Sequence, residues 1–218
     1  MTPNTPLILA SASPRRRELL QLLDIPFEVQ VPAVEERLHP GEAPAQAPQR
    51  FSRLKSRCVA QKVGAGIVLA ADTVVVHQKE ILGKPRDAAH ARAMLRRLRG
   101  QDHRVLSGTT VMDAATGQQI TALCESRVWM RFMDDAEIEA YIASGDPMDK
   151  AAAYAIQNAQ FAPVERVVGC PTNVMGLPMC HVVRDLRILG LDLPPMRCDL
   201  HHDGYRCALT GFVFPNAK

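Results

Sequence analysis

The chain has 218 residues, 47% hydrophobic and 22% charged, which suits one sizeable globular domain or two small lobes on a shared core. A net charge of +3 with 5% aromatic residues argues against a nucleic-acid or membrane-surface binder. No apolar run reaches membrane-spanning length, residues 1–6 lack the features of a signal peptide, and the six cysteines read as scattered reduced thiols, so a cytoplasmic setting is expected.

In chain order, Leu7-Ile8-Leu9-Ala10 reads as a short buried strand. Ser13 then supplies a helix N-cap and Pro14 a first helical position, with Leu19, Leu20 and Leu23 along one side. A strand running through small residues into a helix is an α/β opening. Residues 27–31 alternate like a second strand, and 32–48, rich in Pro, Ala and Glu, read as a loop. A helix is predicted over 50–63, with Phe51, Leu54 and Cys58 inward and Arg50, Arg53 and Arg57 mostly outward. Residues 67–76 form the most strand-like segment, and His77-Gln78-Lys79-Glu80 turns it into a hairpin with Ile81-Leu82.

Asp87 caps a helix whose inner face is Ala91, Met94, Leu95 and Leu98, and Gly100 stops it. Strands over 104–112 and 119–124 flank the turn Ala114-Ala115-Thr116-Gly117, and 128–132 is a further, loosely alternating strand. A short helix over 135–144 ends at Gly145, 164–168 reads as a strand, and 174–189 as a helix with Pro178 in its first turns. Pro194-Pro195 divides a domain over 1–193 from a tail over 194–218.

Three features carry chemistry. Arg15-Arg16-Arg17 sits in the opening turn of a helix, where the helix dipole makes each cation unfavourable by roughly 0.3–1 kcal/mol. Two readings fit: a solvated basic face, or a phosphate cradle in which an anion bound to the arginines and free N–H groups reverses the penalty. Asp72 interrupts an otherwise apolar strand, so its carboxylate must be paired, metal-bound or at a cleft. It is either a structural carboxylate or a metal ligand or general base. Lys84, Asp149-Lys150, Glu35 and Glu36 are singly ordinary surface residues, but together supply the cations and carboxylates of phosphoryl chemistry.

The sequence resembles the Maf family of nucleoside triphosphate pyrophosphatases over residues 7–190. The likeness rests on Leu9-Ala10-Ser11-Ala12-Ser13-Pro14-Arg15-Arg16, then Ala71-Asp72-Thr73-Val74-Val75 with Ile81-Leu82-Gly83-Lys84-Pro85, then Asp149-Lys150-Ala151-Ala152-Ala153-Tyr154-Ala155-Ile156-Gln157. The resemblance implies a mixed twisted α/β sheet flanked by helices, two lobes around a cleft, and a homodimer. It implies hydrolysis of a triphosphate to monophosphate and pyrophosphate with a divalent cation, Mg²⁺ or Mn²⁺. Asp72 would activate water, and Ser13, Arg15, Arg16, Lys55, Lys84, Asp149 and Lys150 would hold substrate. Glu36, or Glu35 in a looser alignment, would join Asp72 at the metal.

Arg15, Thr73 and Gln157 match the family's selectivity positions and resemble the branch acting on dTTP and UTP, and a Gln amide suits a pyrimidine imide edge. Ala152, Ala155 and Asn158 stand where the family usually has glycine, which would strain Ala155 at positive φ. The rival expectation is a nucleotide-binding regulator of cell division or septum formation with little turnover. In the tail, Cys198, His201, His202 and Cys207 are potential zinc ligands in an unfamiliar spacing, and packing of Tyr205, Phe212 and Phe214 on the domain is the favoured reading. Cys170 and Cys180 are expected to pack as core residues.

Overall fold

Near-continuous apolar sequence makes β1 (Leu7–Ala10) and β3 (Ile67–His77) central strands buried on both faces. The computed structural model describes residues 5–193 and arranges seven strands in one sheet. Its order is β2 (Phe27–Val29), β1, β3, β5 (Asp102–Asp113), β6 (Gln119–Met130) and β7 (Val164–Val168), with β4 (Glu80–Leu82) bonded to β3. β1 pairs in parallel with β2 and β3, and the other pairings are antiparallel, so the sheet is mixed as expected.

β3 outruns its neighbours on one side. β5 follows it from Ile67 to Val76, but β1 covers the opposite edge only to Ala70 and β4 resumes only at Val75. Residues 71–74 therefore have an open edge beyond the carboxyl end of β1, the usual place for a ligand in such a sheet.

Three helices gather around β1 and the first half of β3. Helices α1 (Pro14–Gln21) and α6 (Met179–Ile188) bury Leu19, Leu20, Val182 and Leu186 against Leu7, Leu9 and Leu69. Helix α2 (Gln46–Val63) packs Val59 and Ala60 on Ile8, Val68 and Ala70 across the sheet. Around the second half of β3, α3 (Ala88–Leu98) and α4 (Asp135–Ala143) enclose Val75, Val105 and Val128. Each fully buried Leu or Val contributes roughly 1.5–3 kcal/mol, so the two lobes hold separate apolar cores joined by one sheet. No helix among the described residues is long and apolar enough to cross a membrane.

Local chemistry explains the boundaries. Asp87 accepts a 2.7 Å hydrogen bond from the His90 N–H and caps α3 as expected. Gln78 and Lys79 take φ of 48° and 72°, the tight turn that joins β3 to β4. Three expectations are corrected. The strand expected over 128–132 is the end of β6, which stops at Met130, where its register with β7 shifts. The helix expected over 174–189 starts only at Met179 as α6, because Gly176 (φ 108°) and Pro178 interrupt the chain after a separate short helix, α5 (Pro171–Val174).

The third concerns α2, which begins within the expected loop and buries Phe51, Ser52, Lys55, Ser56 and Val59. Leu54, 38% exposed, and Cys58 lie off that face. Polar pairing sets the rotation: Ser52 Oγ meets Thr110 Oγ1 at 2.9 Å, and Lys55 reaches Asp72. The potential zinc ligands of the tail lie outside the described residues.

Candidate active site

At the open edge of β3 lies a cleft of about 370 Å³, lined from both lobes. Ser13, extended at φ −74° and ψ 120°, precedes α1, but its hydroxyl makes no cap bond and remains available to a ligand. Its N–H donates to Ser11 Oγ at 3.1 Å. No acidic residue offsets the dipole in the first turn of α1. Arg15 and Arg16 line the cleft, whereas Arg17 is exposed and does not.

Arg16 is held in place: its Nε donates to the Gly176 carbonyl at 2.8 Å, and Nη2 to Thr73 Oγ1 at 3.3 Å. Burial lowers its pKa, against the opposing pull of Asp72 and Glu36, yet a guanidinium stays charged at any physiological pH. Arg15 Nη1 stands 3.6 Å from Asp149 Oδ2, whose side chain is 65% exposed, so that pair is weak and the guanidinium is free to turn to a ligand.

Lys55 is the centre of the acidic wall. Its Nζ lies 2.7 Å from Asp72 Oδ1 and 2.7 Å from Glu36 Oε1, joining α2, β3 and the 30–45 loop. Asp72 and Lys55 are buried, and Glu36 is half exposed. Glu35 turns to Arg37 instead, which separates the two glutamates that the sequence left open. Lys55 and Glu36 line the cleft while Asp72 stands behind them. Alternation along β3 sends Thr73 to the opposite face, where Oγ1 meets Ser107 Oγ at 2.7 Å. The open edge thus admits residues from both faces of the sheet.

The second lobe brings Lys84, Lys150 and the segment to Gln157. Lys84 is exposed and makes no ion pair among the described residues. The Ala152 N–H donates to the Gly83 carbonyl at 2.9 Å and ties the two segments together. Lys150 Nζ lies 2.6 Å from Asp149 Oδ1 and 3.0 Å from Asp146 Oδ1. Burial pushes the Asp149 carboxyl up, but the bond and charge of Lys150, with Arg15 behind, hold it below its ordinary value. Gln157 is exposed on the cleft wall.

Positive φ occurs at Ala152 (59°) and Ala153 (60°), and not at Ala155 or Asn158. Ala155 is therefore unstrained, and of the three positions that depart from glycine it is Ala152, with its neighbour Ala153, that carries a conformation costing roughly 1–2 kcal/mol per residue.

Sequence reasoning missed the residues that support this wall. Tyr154 lines the cleft and its hydroxyl meets His103 Nε2 at 2.6 Å. Burial raises the Tyr154 pKa and lowers that of His103 to about 4, so both are neutral near pH 7. Ser107, Asn173 and Gly176 support Thr73 and Arg16 from β5 and the α5–α6 turn. Tyr154 stands inside the third motif, whereas Ser107, Asn173 and Gly176 carry no distinguishing pattern in the sequence.

Cations from two lobes, a helix N-terminus with a spare hydroxyl, and a buried carboxylate behind an ammonium define an α/β protein built to hold a polyanion beside a potential base. The model of the Maf-like protein family matches residues 6–189, and the chain belongs to that family. It is similar to a dTTP/UTP pyrophosphatase of Salinibacter ruber, 48% identical over 190 residues, which cover 86% of this chain and 93% of the relative. It is also similar to dTTP/UTP pyrophosphatases of Geotalea uraniireducens (45% over 190 residues, 87% and 98% of the two chains) and Anaeromyxobacter dehalogenans (46% over 190 residues, 86% and 96%).

Proposed function

We propose that the protein hydrolyses dTTP and UTP to the monophosphate and pyrophosphate. The observation that carries this reading is the convergence of Arg15, Arg16, Lys84 and Lys150 on one cleft, with Lys55 in its wall and Asp72 paired to Lys55 directly behind. The arginines and lysines hold the triphosphate, and the Ser13 hydroxyl with the free N–H groups of α1 adds neutral donors. A phosphate oxygen drawn to Lys55 releases Asp72 from its ion pair. Asp72 then takes a proton from water, the water oxygen bonds to the α-phosphorus, and the bond to the α–β bridging oxygen breaks. Pyrophosphate leaves with that electron pair, its charge held by the cations of both lobes.

Two carboxylates converging on one cation fit a hard divalent ion, and Asp72 with Glu36 would hold Mg²⁺ or Mn²⁺. No group of three or more such ligands is found among the described residues, so water and phosphate oxygens would supply the rest. When bound, such an ion neutralises phosphate charge and lowers the pKa of water. Gln157 offers donor and acceptor to a pyrimidine imide edge, while Thr73 acts by fixing Arg16. Homodimeric assembly belongs to this reading through the family likeness, and sedimentation velocity tests it.

The test is pyrophosphate release from canonical and modified nucleoside triphosphates with Mg²⁺ or Mn²⁺. Asp72→Asn is expected to lose about 10²–10⁴-fold in kcat. Absence of turnover on every substrate would leave only a binding role. Faster turnover of purine than pyrimidine triphosphates would overturn the roles of Thr73 and Gln157.

A further inference from the structure

Residues 154–163 contain no helix and no strand, yet this stretch carries Gln157. Without a backbone ladder, its position depends on side-chain hydrogen bonds. Arg131 holds the far end of the stretch through the Ala162 and Phe161 carbonyls and His103 holds Tyr154, while the bonds at residues 155 and 158 lead to one carboxylate. Asp146 Oδ2 accepts from the Tyr141 hydroxyl at 2.8 Å and from Asn158 Nδ2 at 3.0 Å. The same Tyr141 hydroxyl accepts from the Ala155 N–H at 2.9 Å. The other carboxylate oxygen, Oδ1, lies 3.0 Å from Lys150 Nζ, whose ammonium also donates to the Asp146 carbonyl at 2.6 Å.

We propose that Asp146 is a positioning residue that fixes two parts of the cleft at once, the phosphate-holding ammonium of Lys150 and the base-reading segment 155–158. Asp146 does not line the cleft itself, but Lys150, Ala155 and Gln157 all do. Tyr141 is fully buried and packs on Phe161 with ring centroids 4.9 Å apart, so it gives the carboxylate a rigid support. Burial raises the Asp146 pKa, but the bonds from Tyr141, Lys150 and Asn158 outweigh it and keep the group ionised. A charged acceptor strengthens each of these bonds, which a neutral amide in its place would not do.

The inference rests on the proposed pyrophosphatase activity, and two arms of one experiment separate them. The selectivity arm compares kcat/KM for dTTP and dCTP; the phosphate arm measures inhibition by inorganic pyrophosphate. Asp146→Ala is expected to weaken pyrophosphate inhibition about tenfold and to lower the dTTP-to-dCTP ratio about tenfold, the effect of losing a charge-assisted hydrogen bond. Tyr141→Phe cuts only the base-side branch, so it lowers the ratio and leaves pyrophosphate inhibition at the wild-type value. Asp146→Glu, which keeps the charge, restores part of both.

Turnover that falls equally on all substrates, with ratio and inhibition unchanged, would overturn the coupling. So would a Tyr141→Phe protein with wild-type selectivity, which also keeps the test open if Asp146→Ala does not fold. A wild-type protein that releases no pyrophosphate from any nucleotide refutes the activity instead.

Discussion

Replacing Lys55 by methionine keeps most of the side-chain bulk and removes the ammonium between Asp72 and Glu36. Among the described residues, Lys55 is the hydrogen-bond partner of the Asp72 carboxylate, and both side chains are only 8% exposed. Solvent therefore screens little of that pair, and breaking it from one side leaves the buried carboxylate without its hydrogen-bonded partner, at a cost of up to about 3–5 kcal/mol that the nearby Arg16 only partly offsets. Glu36, 48% exposed, adds no more than an exposed pair does, about 0–1 kcal/mol. Against a typical total of about 5–15 kcal/mol, Lys55→Met alone should bring the protein well towards unfolding. The double variant Lys55→Met with Asp72→Asn has no stranded charge and should recover at least half of that loss. Urea denaturation of wild type, both single variants and the double variant near neutral pH gives the coupling energy directly. A Lys55→Met loss below about 1 kcal/mol, or strict additivity in the cycle, would refute a buried pair.

The remaining predictions concern other parts of the frame. His103 has its pKa depressed from 6.5 to about 4 by burial, with the nearby His77 adding to the effect, so the folded state resists a proton that the unfolded chain accepts. Its contribution, roughly 3 kcal/mol, is fully present above pH 6.5 and is lost as pH falls towards about 4; His77 and His181 are shifted the same way. Urea midpoints across that range should fall in wild type and fall less in His103→Gln; an equal slope would exclude His103 as the source. Ala152→Gly relieves about 1–2 kcal/mol of left-handed strain, adds about 0.5–1 kcal/mol of chain entropy cost and removes a fully buried methyl worth about 0.8 kcal/mol, so thermal melts should stay within about 1 kcal/mol of wild type. A loss of about 2 kcal/mol or more would mean that the strain is not there. A Cβ at Gly108 would meet the backbone of Pro48 at 2.3 Å, so Gly108→Ala must displace the start of α2. A loss of about 1–3 kcal/mol is expected, with reduced turnover because Lys55 rides on that helix; unchanged melting and activity would contradict the close approach.

Where one residue type performs one local task, the sequence was readable. Asp87 caps α3, Pro14 opens α1 although the Ser13 hydroxyl makes no cap bond, and the apolar run around Asp72 is a central strand whose odd carboxylate is paired, with Lys55. Reading failed where polar residues replace apolar ones inside. Lys55 and Ser52 occupy the buried face of α2 because their partners lie on β3 and β5, so periodicity assigned that face to Leu54 and Cys58. Strand length failed too, since β6 persists to Met130 on the strength of pairing with β5 and β7 rather than of its own alternation. At the site, the family motifs named Arg15, Arg16, Lys84 and Lys150, all of which line one cleft. Tyr141, Asp146 and His103 stayed hidden because their roles consist of side-chain contacts that no local sequence pattern records.

The open stretch of β3 also bears on mechanics. Both lobes hang on the same pair of strands, because the β3–β5 ladder runs unbroken from Ile67 to Val76 across the point where the outer partner changes from β1 to β4. A loop at that point would be a hinge; a continuous ladder is a stiff spine that resists bending and yields only by twist. Admission and release of a ligand should therefore depend on rotation of long side chains such as Arg15 and Lys84, on the picosecond to nanosecond scale, more than on slow domain closure.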